Sequence, residues 1–375
     1  MRVVLLAAVV VAQAATTPTL VDVGGHKLNV RVAGTARPGV PAVIFESGLG
    51  STLNTWGAVP AEIGAATRTV VYDRAGIGAS EPGPAPRSVK QIVAELHALL
   101  TTIDVPPPYV LVGHSYGGPL IHSFAATYPK EVAGLVYVDP TDFTQTDADM
   151  QAIWEKLGVK DGREALRTFQ AQAVASAPPG VKAEALEVDR MERAGFVDLR
   201  AAGDPPDVPT VILLAGKRQT LPPTLAFPGG NYDGFFQTLL EQRRDHFGKL
   251  AERATKGTLV ETSKSSHFIH LTEPETLVWA VQRVMAASST RADLDRFVGE
   301  YPLSPAFKLT ITRDGDKLFA QATGQQAFPL YPDSATTFSL RVVDATVEFQ
   351  LDAAGAVTGL VLAQNGQRVR AAKSP

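Results

Sequence analysis

Residues 108–129 read PYVLVGHSYGGPLIHSFAATYP. An apolar run enters Gly113-His114-Ser115-Tyr116-Gly117-Gly118, and a helical pattern begins at once. Pro119 falls in its first turn, where a missing N–H leaves no bond unmade. A serine between two glycines at such a junction has two readings. One is a tight turn and nothing more. The other is an elbow that brings strand and helix backbones close together, keeps the flanking positions small, and holds the hydroxyl out as a nucleophile. G-x-S-x-G occurs by chance in long chains, but here a buried-type strand precedes it and a helix follows, the context the elbow demands. A serine hydroxyl is a poor nucleophile until a base removes its proton during attack. An imidazole must therefore reach Ser115.

The elements available to bring it there alternate. Residues 19–33 alternate around Gly24-Gly25 and predict a β-hairpin. AVIFE (42–46), RTVVYD (68–73), YVLVG (109–113), GLVYVD (134–139), TVILLAG (210–216) and TLVET (258–262) are apolar runs bounded by turn residues. They suit strands buried on both faces. Between several of them lie helical patterns. One opens on a capping box, Ser88 to Gln91, with Ile92, Leu96, Leu99 and Ile103 on a single face. This predicts an α/β fold with a mostly parallel, doubly wound sheet. Residues from about 141 to 203 are helical in pattern and hold no strand candidate, as expected of a cap over the sheet edge where open α/β sheets bind ligands. Beyond residues 286–291 the chain turns β-rich, with turn signals at Arg313-Asp314-Gly315, Ala353-Ala354-Gly355 and Asn365-Gly366. The expected organisation is a leader over 1–15, an α/β domain over 16–290 and a small all-β domain over 291–375.

Bulk properties exclude several functions. The chain has 375 residues, 45% hydrophobic and 19% charged, with a net charge of -3 and no cysteine. No basic run invites nucleic acid. Disulfides, thiolate chemistry and cysteine-ligated zinc are ruled out by composition. Met1-Arg2, the apolar stretch 3–11 and Ala12-Gln13-Ala14 have the form of a secretory signal cleaved near Ala14 or Ala15, which implies a secreted or periplasmic protein. No other segment has the apolar length of a membrane span. No His/Asp/Glu cluster has ligand spacing, and GLGS (48–51) lacks the lysine of a phosphate loop, so no metal or cofactor is expected.

Four motifs, FESGLGS, VVYDRAGIGASEPGP, LVGHSYGG and SSHFIHLTEPE, make residues 17–287 resemble the α/β-hydrolase superfamily, in its serine esterase- and lipase-like branch. The resemblance implies a Ser, acid, His order along the chain. It places the base at His267, after the last strand, with His270 as competitor and better suited to a surface loop. Many members carry the acid after the strand that here reads TVILLAG, but Lys217-Arg218-Gln219-Thr220 offers no carboxylate. Others carry it one strand earlier, which points to Asp139, ahead of Asp142, Asp204 and Asp245. An acid there would fix the imidazole tautomer. The oxyanion donors implied are the backbone N–H groups of Tyr116 and Leu49. Glu46, where many members have HGG, either pins the oxyanion loop or stands as a second acid near the site. Asp73-Arg74 reads as a scaffold turn and His114 as packing that points away along the elbow, while His26, His97, His122 and His246 lack supporting context.

The tail, with VGEY, GDKLFAQ and GLVLAQNGQ, is similar to small β domains appended to periplasmic hydrolases and β-lactamase-like proteins. The function expected of the whole is a carboxylic-ester hydrolase acting through an acyl-enzyme on Ser115, with water and a small ester-like molecule as its substrates. The alternatives are an amidase or peptidase, a lactonase or a cofactor-free perhydrolase on the same residues, and a binding protein that kept the fold without the chemistry. Oligomeric state is not written in the sequence.

Overall fold

Short apolar runs leave their backbone N–H and C=O groups unpaired until they meet a neighbour, so burial forces them into a sheet. Six such runs and the expected N-terminal hairpin form one: β1 (Thr19–Asp22), β2 (Lys27–Ala33), β3 (Ala42–Glu46), β4 (Thr69–Tyr72), β5 (Tyr109–His114), β6 (Val132–Val138), β7 (Thr210–Ala215) and β8 (Thr258–Thr262). Their order is β1-β2-β4-β3-β5-β6-β7-β8. From β3 to β8 the pairing is parallel, and β1 and β2 add an antiparallel edge. The computed structural model describes residues 17–374 apart from 38, 222–225, 255, 289–293, 315–316, 333–335, 341 and 353–354. The expected leader lies outside the described residues, as do Gly315, Ala353-Ala354 and the expected 290/291 boundary.

The helices are α1 (Val59–Gly64), α2 (Val89–Thr102), α3 (Gly117–Thr127), α4 (Asp147–Lys156), α5 (Gly162–Ala173), α6 (Pro179–Arg193), α7 (Val197–Ala201), α8 (Tyr232–Arg253), α9 (Ile269–Thr272) and α10 (Pro274–Ser288). Helices α1, α2, α3, α8 and α10 cover both faces of the sheet because strand side chains alternate between faces. Leu111 joins Ile44, Tyr137 and Ile212 beneath α2, α3 and α8. Val110 and Val112 join Val43, Phe45 and Leu213 beneath α1 and α10. Each such side chain stabilises the sheet by about 1.5–3 kcal/mol through burial. The chain reverses direction across the sheet between β3 and β5, and the crevice at their carboxyl ends is the place where such sheets take ligands. Helices α4 to α7 follow β6 without an intervening strand.

The Ser88 hydroxyl accepts the Gln91 N–H at 3.2 Å, but the reciprocal half of the expected capping box is not made. The Gln91 amide turns to Glu95 at 3.1 Å instead.

A second sheet is an antiparallel meander of β9 (Gly299–Ser304), β10 (Phe307–Asp314), β11 (Lys317–Ala322), β12 (Ala327–Pro332), β13 (Thr337–Leu340), β14 (Ala345–Leu351), β15 (Val357–Gln364) and β16 (Gln367–Ala372). Just past β16, the Ser374 N–H bonds to the Glu300 carbonyl of β9 at 2.8 Å, bringing the two edges into a near-barrel. Phe297, Tyr301, Ile311, Val347 and Phe349 fill it. Asn365 and Gly366, at φ +49° and +75°, make the tight turn their dipeptide predicts.

Buried histidines give this fold a pH dependence. Burial pushes His122 and His270 down to about 4, and holds His114 well below its ordinary value with help from its neighbours His267 and His270. The unfolded chain takes up these protons near pH 6.5 and the folded chain refuses them, so stability falls as pH drops from about 6.5 toward 4. His246 works oppositely: its Asp142 hydrogen bond raises its pKa, so its contribution is present below about pH 6.5 and lost as pH rises through the folded value. Each of the three is expected to contribute a decline in unfolding free energy of up to ~1.4 kcal/mol per pH unit between about pH 6.5 and 4.5, opposed there by His246 and by Glu46 and Glu192, whose carboxyl pKa values burial raises. His122→Phe should make the decline shallower; an identical slope in calorimetry would show that His122 is not one of the groups responsible.

Candidate active site

Strand β5 is buried throughout and delivers Ser115 at its end with φ +51°, a left-handed conformation that costs a non-glycine residue about 1–3 kcal/mol. Three backbone bonds hold it there: Ser115 N–H to Val138 O at 3.1 Å, and Gly118 and Thr141 N–H to Ser115 O at 2.9 Å each. A Cβ on Gly117 would lie 2.1 Å from the Glu46 carbonyl, so only glycine lets α3 start this close to β3.

Asp139 leaves β6 with φ +40° and is buried. Its Oδ2 faces His267 Nδ1 at 2.7 Å, and its Oδ1 accepts the Ala215 N–H at 3.1 Å and pairs with Arg243 Nη1 at 2.9 Å. Burial by itself would raise its pKa, but Arg243, then His267 and Ala215, outweigh it and hold the carboxyl well below the ordinary range. The carboxylate is therefore ionised and acceptor-only, which puts the proton of that hydrogen bond on His267 Nδ1 and makes Nε2 the acceptor nitrogen of the neutral ring. Ser115, Asp139 and His267 line one cavity of about 390 Å³, whose walls include Met150, Leu166, Phe196 and Phe235. The arrangement brings an imidazole ring and a hydroxyl to the wall of the same small space.

His114 is buried and its ring lies 4.6 Å from that of His267 and 4.5 Å from that of His270. Its Nε2 donates to the His267 carbonyl at 2.8 Å, stapling the loop that carries His267 to the residue before Ser115. It packs as expected, yet between the two histidines rather than away from them. His270, expected at the surface, is buried against Trp56 with ring centroids 4.9 Å apart. The α9 turn places it among the rings of Trp56, His114 and Phe268, out of reach of water.

The rival acids go elsewhere. Asp142 pairs with His246 at 2.7 Å, Asp245 with Lys249 at 2.6 Å and Asp204 with Arg253 at 3.0 Å. Among the described residues, the N–H groups of Tyr116 and Leu49 make no hydrogen bond within the chain. Glu46 is buried and receives Tyr72 Oη and Arg74 Nη1, the latter at 2.6 Å, so its carboxylate is occupied away from His267. Arg243 was not singled out from the sequence. It stands on α8, 104 positions after Asp139, and no local pattern marks it. Among the described residues no group of three or more potential ligands could hold a metal, and no helix is long and apolar enough to cross a membrane.

Residues 43–281 match the model of a family described as the alpha/beta hydrolase family, and residues 284–372 match a domain of unknown function. The chain is 40% identical over 98 residues to the uncharacterized protein YqjL of Bacillus subtilis, covering 26% of this chain and 39% of that one. It is 33% identical over 116 residues to an AB hydrolase superfamily protein of Gibberella zeae, covering 30% and 36%. The matches thus span under two fifths of the length of these two curated relatives. Among solved structures, that of the epoxide hydrolase CorEH without ligand aligns with a TM-score of 0.51 and 15% identity over 72% of this chain and 98% of that one. At that identity the likeness concerns the fold.

The Asp139–His267 bond should give a low-field Nδ1–H proton resonance that disappears in both Asp139→Asn and His267→Gln. A resonance that survives Asp139→Asn unchanged would assign the bond to another acid.

Proposed function

The chain belongs to the alpha/beta hydrolase family, and from that premise we propose that it is a serine hydrolase, specifically a carboxylic-ester hydrolase acting through an acyl-enzyme. The observation that carries the reading is the 2.7 Å contact between Asp139 Oδ2 and His267 Nδ1 at the wall of the cavity that also exposes Ser115. In the proposed cycle the Ser115 oxygen attacks the ester carbonyl while His267 Nε2 takes its proton. The resulting imidazolium is stabilised by Asp139. The negative oxygen of the tetrahedral intermediate is met by the Tyr116 and Leu49 N–H groups, whose hydrogens are uncommitted within the described chain. His267 then protonates the departing alcohol. Water attacks the acyl-enzyme by the same steps in reverse, regenerating Ser115 and releasing the acid.

Apolar walls favour an uncharged acyl group. Glu192, partly buried in the same wall, modulates this: burial first, and Asp189 second, push its carboxyl up to about 7 against the pull of Arg167 and Arg163. As pH rises through about 7 the cavity gains a negative charge, so esters carrying a carboxylate should lose kcat/KM relative to neutral ones of the same length. Glu192→Gln should remove that trend. A ratio that is flat from about pH 6 to 8 in the unaltered protein would exclude Glu192 from the binding space.

The central test is Ser115→Ala with p-nitrophenyl butyrate, together with labelling by a fluorophosphonate. Loss of about 10⁴-fold or more in kcat, with labelling confined to Ser115 in the unaltered chain, is expected. Full activity in the variant would remove Ser115 as nucleophile. A chain that neither labels nor turns over graded acyl esters would favour a binding protein, and amide or lactone turnover would redirect the substrate class.

A further inference from the structure

Arg74 lies in a turn without evident chemistry, yet its buried guanidinium makes five hydrogen bonds. Nε and Nη2 hold the two carboxylate oxygens of Glu184 at 2.6 and 2.8 Å. Nη1 donates to Glu46 Oε1 and to Ser47 O at 2.6 Å each, and Nη2 donates to Gly48 O at 2.8 Å. The last contact bears on the site. Gly48 O and the Leu49 N–H belong to one peptide unit, and in a trans peptide they point in opposite directions. A guanidinium fastened to the carbonyl therefore aims the N–H away from itself and draws electron density from the amide, which makes that N–H a stronger donor.

Glu184 holds the following peptide as well, because its Oε2 accepts the Gly50 N–H at 3.0 Å. Both peptides flanking Leu49 are thus gripped by one ion pair. Glu184 is fully buried and comes from α6 of the cap, 110 positions away in sequence. Helix α6 docks tightly: a Cβ on Gly180 would stand 2.0 Å from the Gly76 carbonyl. The Arg74 guanidinium also lies over the Tyr116 ring, 5.4 Å from its centroid, beside the other candidate donor.

We propose that Arg74 and Glu184 are a positioning pair that sets the direction and donor strength of the Leu49 N–H, so that cap helix α6 is a working part of the oxyanion hole rather than only a wall of the cavity. The proposal rests on the serine-hydrolase reading above. Neither residue touches substrate; both act through the 48–50 backbone.

Glu184→Gln in the full chain keeps the shape but removes the charge and faces one donor with another. After counting active sites with a fluorophosphonate, kcat per site is expected to fall about 10- to 100-fold while KM changes less than about threefold, since one oxyanion donor is worth at most about 10²- to 10³-fold. Affinity for a trifluoromethyl ketone, which mimics the tetrahedral state, should fall by the same factor as kcat/KM. Arg74→Lys keeps a point charge but loses the fork, and should lose at least as much. A merely structural pair would lower the site count and the thermal midpoint and leave kcat per site unchanged, and that result in either variant overturns the proposal. If Ser115→Ala is inactive and Glu184→Gln is not impaired, only the positioning pair fails; if Ser115→Ala is active, the reading beneath it fails.

Discussion

A carboxylate buried away from water is the constraint on which one side of this site depends. Asp139 keeps its charge because donors from three separate elements converge on its carboxylate. Its own backbone is fixed at the end of β6, with its N–H on Leu213 O at 2.7 Å. Strand β7 sends the Ala215 N–H, α8 sends Arg243, and the loop after β8 sends His267. Remove one and a buried charge is left short of partners, which costs more than the missing bond is worth. The sheet, its longest covering helix and the histidine loop are thereby tied to a single anion. That is a precise way to hold an imidazole ring, since its tautomer and its plane both follow from the oxygen it faces.

The opposite side of Ser115 repeats the device with the signs exchanged. There the central charge is the Arg74 guanidinium, and the acceptors are two carboxylates and two backbone carbonyls. A planar fork with five fixed donors suits such a junction, whereas an ammonium would orient none of the carbonyls so definitely. Both junctions lie at the carboxyl ends of the strands, where the strand order reverses between β3 and β5 and a crevice opens without any special excavation.

Much of this framework was legible in the residues. AVIFE and TLVET coincide with β3 and β8, but only β3 is buried on both faces as expected; β8 is the edge strand and stays largely half-exposed, because it has a neighbour on one side only. The cap was visible as a helical stretch with no strand in it. The Ser88 capping box was legible only in half. Gln91 found a better partner one turn on in Glu95, which Arg87 also holds with two bonds of 2.6 Å. His270 misled because a loop position after a strand ordinarily meets water, and here Trp56 covers it. Arg243 gave no warning at all, being one of many charged residues on a 22-residue helix.

Determined by the sequence itself were the features whose physics is complete within a few residues: the strands, the glycines that crowd the Ser115 elbow, and the turn at Asn365-Gly366. Tertiary structure alone decided the partnerships. Asp139 and Asp142 stand three positions apart, yet one meets His267 and the other His246, because β6 ends and α8 crosses where they do. Arg74 and Glu184 meet across 110 positions, and His267 reaches Asp139 across 128. Local sequence cannot specify contacts at such separations, since they depend on where whole elements come to rest once their apolar faces are buried.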